Sequence, residues 1–595
     1  MKAKVSDVIA RFLKEKKIEV VFGIIGSANS HIFDSINRLG YTQIVNTHHE
    51  QAAVMAAGAY FRTSGKLSVA IVTAGAGASN AITGVISNWA DSIPCLIISG
   101  QEPFRYVKKQ ESFRMYGTQG FNVIKMVEDV VKYGFALTKS NQIYFQLSEA
   151  YSQALSGRPG PSWIDIPFDI QGELIKKIDF PIIKKNIISF THETNPIIEV
   201  LKNSKRPVVV GGNGIRLSKG KLEFQKFINT TKIPTLLTWS GIDLLDNENP
   251  QFFGRFGLYG QRCANFIVQN ADLVLVFGSR LALPQIGYDF PQFARKAKII
   301  IVDIDEIEGE KYKIYDFIKA DCKAFLNDLN SSINGLNINY DEWIEYCSKL
   351  KQDFPLLGKE HETEGYENSY KFIDTFSEHL GNDDIIVTDM GTALLSGHQA
   401  IKLKPNQTMF TSLGLGEMGF GLAGAVGASF ASPSRQVICL NCDGGIMMNL
   451  QELHTIIENN LKVKIVIFNN DGYLMIKHTQ KMLFNGNYNS VDKKTGIGLP
   501  NFKKLLPAFG FNYYRFNEDD RKNSIQEFLN DPSQSVLEVF MDPEQGFLPK
   551  VKGVLNQDNT ILSPPIEEMS PLLPLDFIKE KMIIKLDDKS YKIKR

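Results

Sequence analysis

The sequence predicts three α/β domains in series, each a doubly wound parallel sheet with helices on both faces. Three observations carry this. Short apolar runs bounded by polar clusters alternate with helical stretches, the pattern of strands buried on both faces of a parallel sheet. The runs fall into three groups, set apart by a basic, Pro-containing stretch and by a charged, Asn-rich one. A chain of 595 residues is also too long for one core, and at about 150 residues per domain it divides into three or four.

The first group, over residues 1–175, opens with MKAKVSDVIARFLKEKK, an amphipathic helix without the apolar h-region of a signal peptide. Its strand candidates are VVFGI, QIVNT, LSVAIVT, PCLIIS and SWIDIP. KKIDFPIIKKNIISFTHETNP then reads as a linker. The second group, over residues 190–335, supplies PVVVGGNG, DLVLVFGSR and KIIIVDID. The third, over residues 365–550, supplies DIIVTD, QVICLN, KIVIFN and SVLEVF. Residues 551–595 include NQDNTILSPPIEEMSPLLPLDFIKEK, a Pro-rich tail expected to wrap the surface. No short-period repeat is present. The outcome is three Rossmann-like units and a tail, an architecture that serves many functions.

Composition narrows the field. Apolar residues make up 43 % and charged residues 22 %, as in ordinary globular proteins. A net charge of +1 leaves no basic excess for nucleic acid. No apolar run approaches the roughly 20 residues of a membrane span. Six scattered cysteines (Cys95, Cys263, Cys322, Cys347, Cys439 and Cys442) lack any CxxC or metal-ligand spacing and read as reduced thiols of a cytoplasmic protein.

The stretch VICLNCDGGIMMNLQELHTIIENNLKVKIVIFNND, residues 437–471, carries the chemistry. QVICLN and VKIVIF are strands, and between them Leu450, Leu453, Ile456, Ile457 and Leu461 share one helical stripe. A single βαβ crossover makes the two strands parallel. Asp443 and Asn470 therefore both stand at strand carboxyl ends, the edge where open α/β sheets bind ligands. A carboxylate and an amide carbonyl are hard oxygen donors suited to Mg²⁺, which completes its octahedron with phosphate oxygens and water. Gly444 and Gly445 let a diphosphate approach the backbone. Read alone, Asp-Gly and Asn-Asp are also ordinary turn pairs.

At this spacing the Asp-Gly and Asn-Asn pairs resemble the metal–diphosphate motif of thiamine diphosphate (ThDP) enzymes, specifically the acetolactate synthase-like group. One departure stands out: the family usually has Gly before the Asp, where this chain has Cys442. The resemblance implies that Asp443 and Asn470 are side-chain metal ligands and that Gly472 offers a backbone carbonyl. It also implies a glutamate at a strand end in the first group, bonded to N1′ of the cofactor's aminopyrimidine, and QIVNTHHEQAAVMAAGAYF supplies Glu50. By itself Glu50 is equally a carboxylate complementing a helix dipole. LSVAIVTAGAGASN follows at the family's spacing and places Thr73 and Gly75 beside the cofactor. SGRPGPSWIDIPFDIQ and FTSLGLGEMGFGLAGAVGAS match further family segments. In the latter, the resemblance makes the Gly416 carbonyl the acceptor for the 4′-amino group and Met418 the wedge beneath the bent cofactor; by its residue type alone, Met418 reads as plain core. Ser27 aligns with a donor-pocket residue, though by itself it reads as a turn residue after Gly26, and Gln119 aligns with a glutamine facing the reacting carbon; His48 and His49 precede Glu50, with His49 either catalytic or a cap.

These matches span most of residues 1–545 and make the three units pyrimidine-binding, central and diphosphate-binding. They imply decarboxylation of a 2-keto acid, pyruvate first, and transfer of the acyl unit to a carbonyl acceptor. They imply a homodimer at minimum, extending to a tetramer, with Glu50 and the diphosphate motif meeting across subunits. Relatives hold FAD in the central domain, where Gly211, Gly212, Thr238, Gly257, Gly278, Arg280, Asp303 and Asp321 stand at contact positions. Two departures bear on the acceptor. Thr118 replaces an aromatic before the pocket glutamine, and Thr479 replaces a tryptophan after the metal loop. Both widen the pocket and make it more polar, which suits a keto-sugar nucleotide. The alternatives are acetolactate synthesis, simple decarboxylation, and a non-catalytic nucleotide-binding protein.

Overall fold

The computed structural model describes residues 2–108, 113–176, 192–311, 315–336 and 338–595. Most of the linker expected at 176–196 lies outside the described residues. Three six-stranded sheets organise the rest, and every strand pair within them is parallel.

The first sheet contains β1 (Val20–Gly23), β2 (Gln43–Asn46), β3 (Val69–Val72), β4 (Leu96–Gln101), β5 (Tyr133–Ala136) and β6 (Ser162–Pro167). Its order is β2-β1-β3-β4-β6-β5. The second contains β7 (Pro207–Gly211), β8 (Thr235–Leu237), β9 (Phe252–Arg255), β10 (Leu273–Phe277), β11 (Lys298–Asp303) and β12 (Asp316–Lys319). Here the order is β9-β8-β7-β10-β11-β12, the arrangement of dinucleotide-binding sheets. The third contains β13 (Ile385–Thr388), β14 (Thr408–Phe410), β15 (Val437–Cys442), β16 (Val463–Asn469), β17 (Asn512–Arg515) and β18 (Ser535–Phe540), ordered β14-β13-β15-β16-β18-β17.

The apolar runs correspond to the central strands of all three sheets, and QIVNT to the edge strand β2. Strands that the sequence leaves unmarked are the edge strands β5, β9, β12, β14 and β17, together with β8, which is only three residues long. Edge strands are covered on one side only, so they need not be apolar; β17 reads NYYR, with its end residues exposed.

In each sheet the strand order reverses at one central place, between β1 and β3, between β7 and β10, and between β13 and β15. The carboxyl ends of the strands at a reversal diverge and leave a crevice for ligands. Candidate residues from the sequence cluster at all three places.

Helices α1 (Glu50–Ser64), α2 (Ile82–Ala90), α3 (Thr392–Ala400), α4 (Phe420–Ala431), α5 (Glu452–Glu458) and α6 (Leu474–Phe484) frame the sites. The Ala-rich α1 and Gly-rich α4 share one core that spans the first and third units. Their backbones approach so closely that a Cβ on Gly427 would lie 2.1 Å from the Ala56 carbonyl oxygen. Much of the small-residue character of both helices is thus packing.

The tail does not run free. Val551, Ile566, Met569 and Ile578 are buried in the core of the middle unit. Asn265 Nδ2 donates to the Ile566 carbonyl at 2.8 Å, and Arg295 pairs with the buried Glu567 at 2.8 Å. Among the described residues no helix is long and apolar enough to cross a membrane. All six cysteines are buried free thiols.

Candidate functional site

The strand-to-helix turns of the third unit build the first part of the site. Asp443 follows β15 and is fully buried. Its Oδ1 accepts from the Gly444 N–H at 2.7 Å, and its Oδ2 accepts from the N–H groups of Asn470 at 2.9 Å and Gly472 at 3.1 Å. The carboxylate thus ties the two loops of the crossover together. Burial is the largest influence on it and pushes its pKa up to about 7, against the three backbone donors.

Asn470 Nδ2 donates to Thr392 Oγ1 at 3.3 Å, while its Oδ1 is buried without a hydrogen-bond partner. An orphaned amide oxygen beside a buried carboxylate is the donor set a hard cation completes. No cluster of three His, Cys, Asp or Glu side chains suited to a metal occurs among the described residues.

The glycines of this site are required by space. A Cβ on Gly444 would lie 2.4 Å from the Tyr473 ring, and one on Gly445 would lie 2.8 Å from Asp389 Oδ2. Gly472 has φ +138°, and its Cβ would fall 2.0 Å from the Val491 carbonyl oxygen. Gly472→Ala is therefore expected to destabilise this loop by about 1–3 kcal/mol and to weaken cofactor uptake. Urea unfolding and calorimetric titration check this, and wild-type values in both would refute it.

Cys442 does not crowd this loop. It is 6 % exposed and turns inward, its Sγ accepting from the Ala393 N–H at 3.3 Å at the start of α3.

Residues 411–419, which carry Gly416 and Met418, are pinned at both ends. Asp91, at the end of α2, accepts from the N–H groups of Leu413 at 2.9 Å and Gly414 at 2.7 Å while pairing with Arg62 at 2.6 Å. Asp389, buried at the end of β13, accepts from the Gly419 N–H at 2.9 Å. Met418 reaches Gly444, its Cε 3.6 Å from where a Cβ would stand there. Gly416 has φ +71° and lies against Met390. Gly416, Met418, Gly444, Asp443, Asn470 and Gly472 thus surround one crevice. Asp389 and Asp91 are absent from the sequence reading, although DIIVTD ends in an acid at a strand's carboxyl end.

On the first sheet, Glu50 opens α1 and is 9 % exposed. Its Oε2 accepts from Asn80 Nδ2 at 3.1 Å, and its Oε1 lies 3.1 Å from where a Cβ on Gly77 would stand. Ser27 is exposed after β1, and Thr73 and Gly75 follow β3. A Cβ on Gly26 would meet the Thr73 side chain at 2.4 Å, so the two turns touch. Gly75, at φ +67°, packs against the Gln119 side chain, and the Gln119 N–H is held by Glu102 at 2.7 Å. The structure therefore gathers Ser27, Glu50, Thr73, Gly75 and Gln119 on one edge. His49 is the helix N-cap: its Nδ1 accepts from the Gln51 N–H at 3.1 Å.

The middle sheet opens at its reversal into a cavity of about 730 Å³. Thr238, Gly278, Arg280, Asp303 and Asp321 line it. Gly211, Gly212 and Gly257 stand behind the wall. A Cβ on Gly212 would meet the Gly278 carbonyl oxygen at 2.3 Å, and one on Gly257 the Pro284 carbonyl oxygen at 2.4 Å. Burial raises the Asp303 pKa above the ordinary carboxylate value. Asp91 and Arg158 from the first unit and Leu395 and Leu413 from the third complete the wall. Arg158 crosses between units to Asp305 at 3.0 Å and Glu308 at 2.7 Å.

Three family models match this chain. Residues 3–126 match the N-terminal TPP binding domain of thiamine pyrophosphate enzymes, residues 194–329 the central domain, and residues 389–539 the C-terminal TPP binding domain. The chain is 32 % identical over 552 residues to the acetolactate synthase isozyme 1 large subunit of Escherichia coli (strain K12), covering 92 % of this chain and 95 % of that protein. It is 31 % identical over 562 residues to a probable acetolactate synthase large subunit of Methanococcus aeolicus, covering 90 % and 92 %. The Escherichia coli isozyme 2 large subunit is 30 % identical over 562 residues, with 91 % and 96 % covered.

Proposed function

Because the chain belongs to the thiamine diphosphate-dependent, acetolactate synthase-like enzymes, we propose that it decarboxylates pyruvate and transfers the acyl unit to a keto-sugar nucleotide. The observation that carries the catalytic half is the buried Asp443–Asn470 pair with its orphaned amide oxygen. When bound, the cofactor supplies the carbon nucleophile and the electron sink that decarboxylation needs.

The chain's own residues do the rest. Asp443, Asn470 and the Gly472 carbonyl would hold Mg²⁺ against the diphosphate, with the Asp443 side chain serving as a carboxylate. Gly444 and Gly445 admit the diphosphate to the backbone. Met418 would support the cofactor from below, and the Gly416 carbonyl would accept from its amino group. Glu50 shares a proton with the aminopyrimidine ring nitrogen. Ser27 and Gln119 face the donor, with His49 fixing the turn before Glu50.

The keto-sugar acceptor rests on Thr118 and Thr479. Both are small, polar and exposed, where true acetolactate synthases carry aromatic side chains. The middle cavity suits FAD, with Asp303 and Asp321 at strand ends for a ribose and glycines close to a pyrophosphate. A homodimer is the minimum active unit. Apolar side chains stand exposed on the edges of both cofactor-binding sheets, Ile25 at 58 %, Leu415 at 40 % and Met448 at 46 %, as a second copy would cover them. The six free thiols fit a reducing, cytoplasmic setting.

The test is mass spectrometry of products from purified protein with ThDP, Mg²⁺, pyruvate and a panel of ketone acceptors. New carbon–carbon products with keto-sugar nucleotides are expected. Acetolactate from pyruvate alone, with no gain from keto-sugars, overturns the acceptor assignment, and acetaldehyde alone marks a simple decarboxylase. Flavin absorbance of the purified protein tests the cavity.

A further inference from the structure

We infer that Glu452 is a positioning residue for Glu50: a buried carboxylate of the diphosphate-binding unit that fixes the backbone from which the activating glutamate projects. The inference rests on the role given to Glu50 above. Glu452 opens α5 and is fully buried. Its Oε1 accepts from the His48 N–H at 2.9 Å. Its Oε2 accepts from the Thr455 hydroxyl at 2.7 Å. Among the described residues nothing cationic offsets this charge.

A buried carboxylate costs free energy unless it is fully hydrogen-bonded. Bonds from N–H groups to a charged acceptor are stronger than those to a neutral one. The N–H group held here belongs to His48, two residues before Glu50. On the other side, the His49 imidazole caps the Gln51 N–H. The backbone is thus pinned before and after Glu50. The His48 and His454 rings, 5.5 Å apart, add a second contact between the same two segments. Glu452 also lies on the crossover that begins with Asp443, so in a dimer one element would hold the diphosphate of one site and steady the acid that serves the other.

Ordinary interdomain packing would predict a loss of stability and nothing specific to Glu50. Glu452→Ala, Glu452→Gln, Glu50→Gln and the Glu50→Gln/Glu452→Ala double variant separate the two roles. In the cofactor-free protein, amide hydrogen exchange at residues 48–53 is expected to quicken in Glu452→Ala and to return toward wild type in Glu452→Gln. With Mg²⁺ and ThDP bound, proton exchange at the cofactor C2 is expected to slow roughly 10- to 100-fold in Glu452→Ala, the scale of a misplaced catalytic group. The KM for pyruvate is expected to stay close to wild type. The double variant is expected to be no slower than Glu50→Gln alone, since both changes act on one group.

Unchanged C2 exchange in Glu452→Ala, or an equal further loss in the Glu50→Gln background, overturns the inference. If Glu50→Gln itself leaves C2 exchange intact, the role of Glu50 falls, and this inference falls with it. Should Glu452→Ala fail to fold, Glu452→Gln carries the same comparison, with a smaller loss because its neutral carbonyl still accepts.

Discussion

Glu50→Gln is expected to lower kcat by roughly 100- to 10,000-fold, the range for losing a general acid–base group, while leaving the uptake of Mg²⁺ and ThDP near wild type. The amide is isosteric with the carboxyl and can still accept from Asn80 Nδ2, the 3.1 Å bond that orients the side chain. Folding and shape should therefore persist. What disappears is the group that exchanges a proton with the cofactor ring. Steady-state kinetics beside calorimetric titration of the cofactor give the check. A kcat close to wild type would remove Glu50 from the mechanism.

Asp443→Ala is expected to act on binding instead. The carboxylate bonds three backbone N–H groups from both loops of the crossover, and it is the one charged side chain assigned to the cation. Alanine leaves three buried donors unsatisfied, at roughly 1–3 kcal/mol each. Cofactor affinity should fall beyond the roughly 10- to 100-fold that follows loss of a contact supporting a metal ligand. Calorimetry of Mg²⁺–ThDP uptake and urea unfolding measure the two effects. Tight uptake by the variant would show that Asp443 is structural alone.

The reach of the sequence ended where partners became distant. Asp443 and Asn470 are legible because one crossover delivers both to the same edge, whatever the rest of the chain does. Glu50 is different: a helix-opening carboxylate is common, and only its resemblance to a family position marks it. Asp389, Asp91 and Glu452 escaped notice because their partners lie 30, 322 and 404 residues away in the chain. Nothing near them in sequence distinguishes them from strand-end or helix-surface acids.

The cavity shows the same division. KIIIVDID and PVVVGGNG announce strands with a terminal acid and a Gly-rich turn, yet Gly211, Gly212 and Gly257 serve the close approach of backbones behind the wall. Three units share that wall, so no single stretch could outline it.

Taken alone, the sequence determined the fold class, the central strands and the placing of Asp443 and Asn470 at one sheet edge. These depend on apolar periodicity and on the handedness of a local crossover, both of which act over a few tens of residues. Tertiary structure decided the order of the strands, the edge strands, the three-sided cavity and the tie from Glu452 to the turn before Glu50. Those depend on which distant surfaces bury one another, and short-range pattern carries no record of that choice.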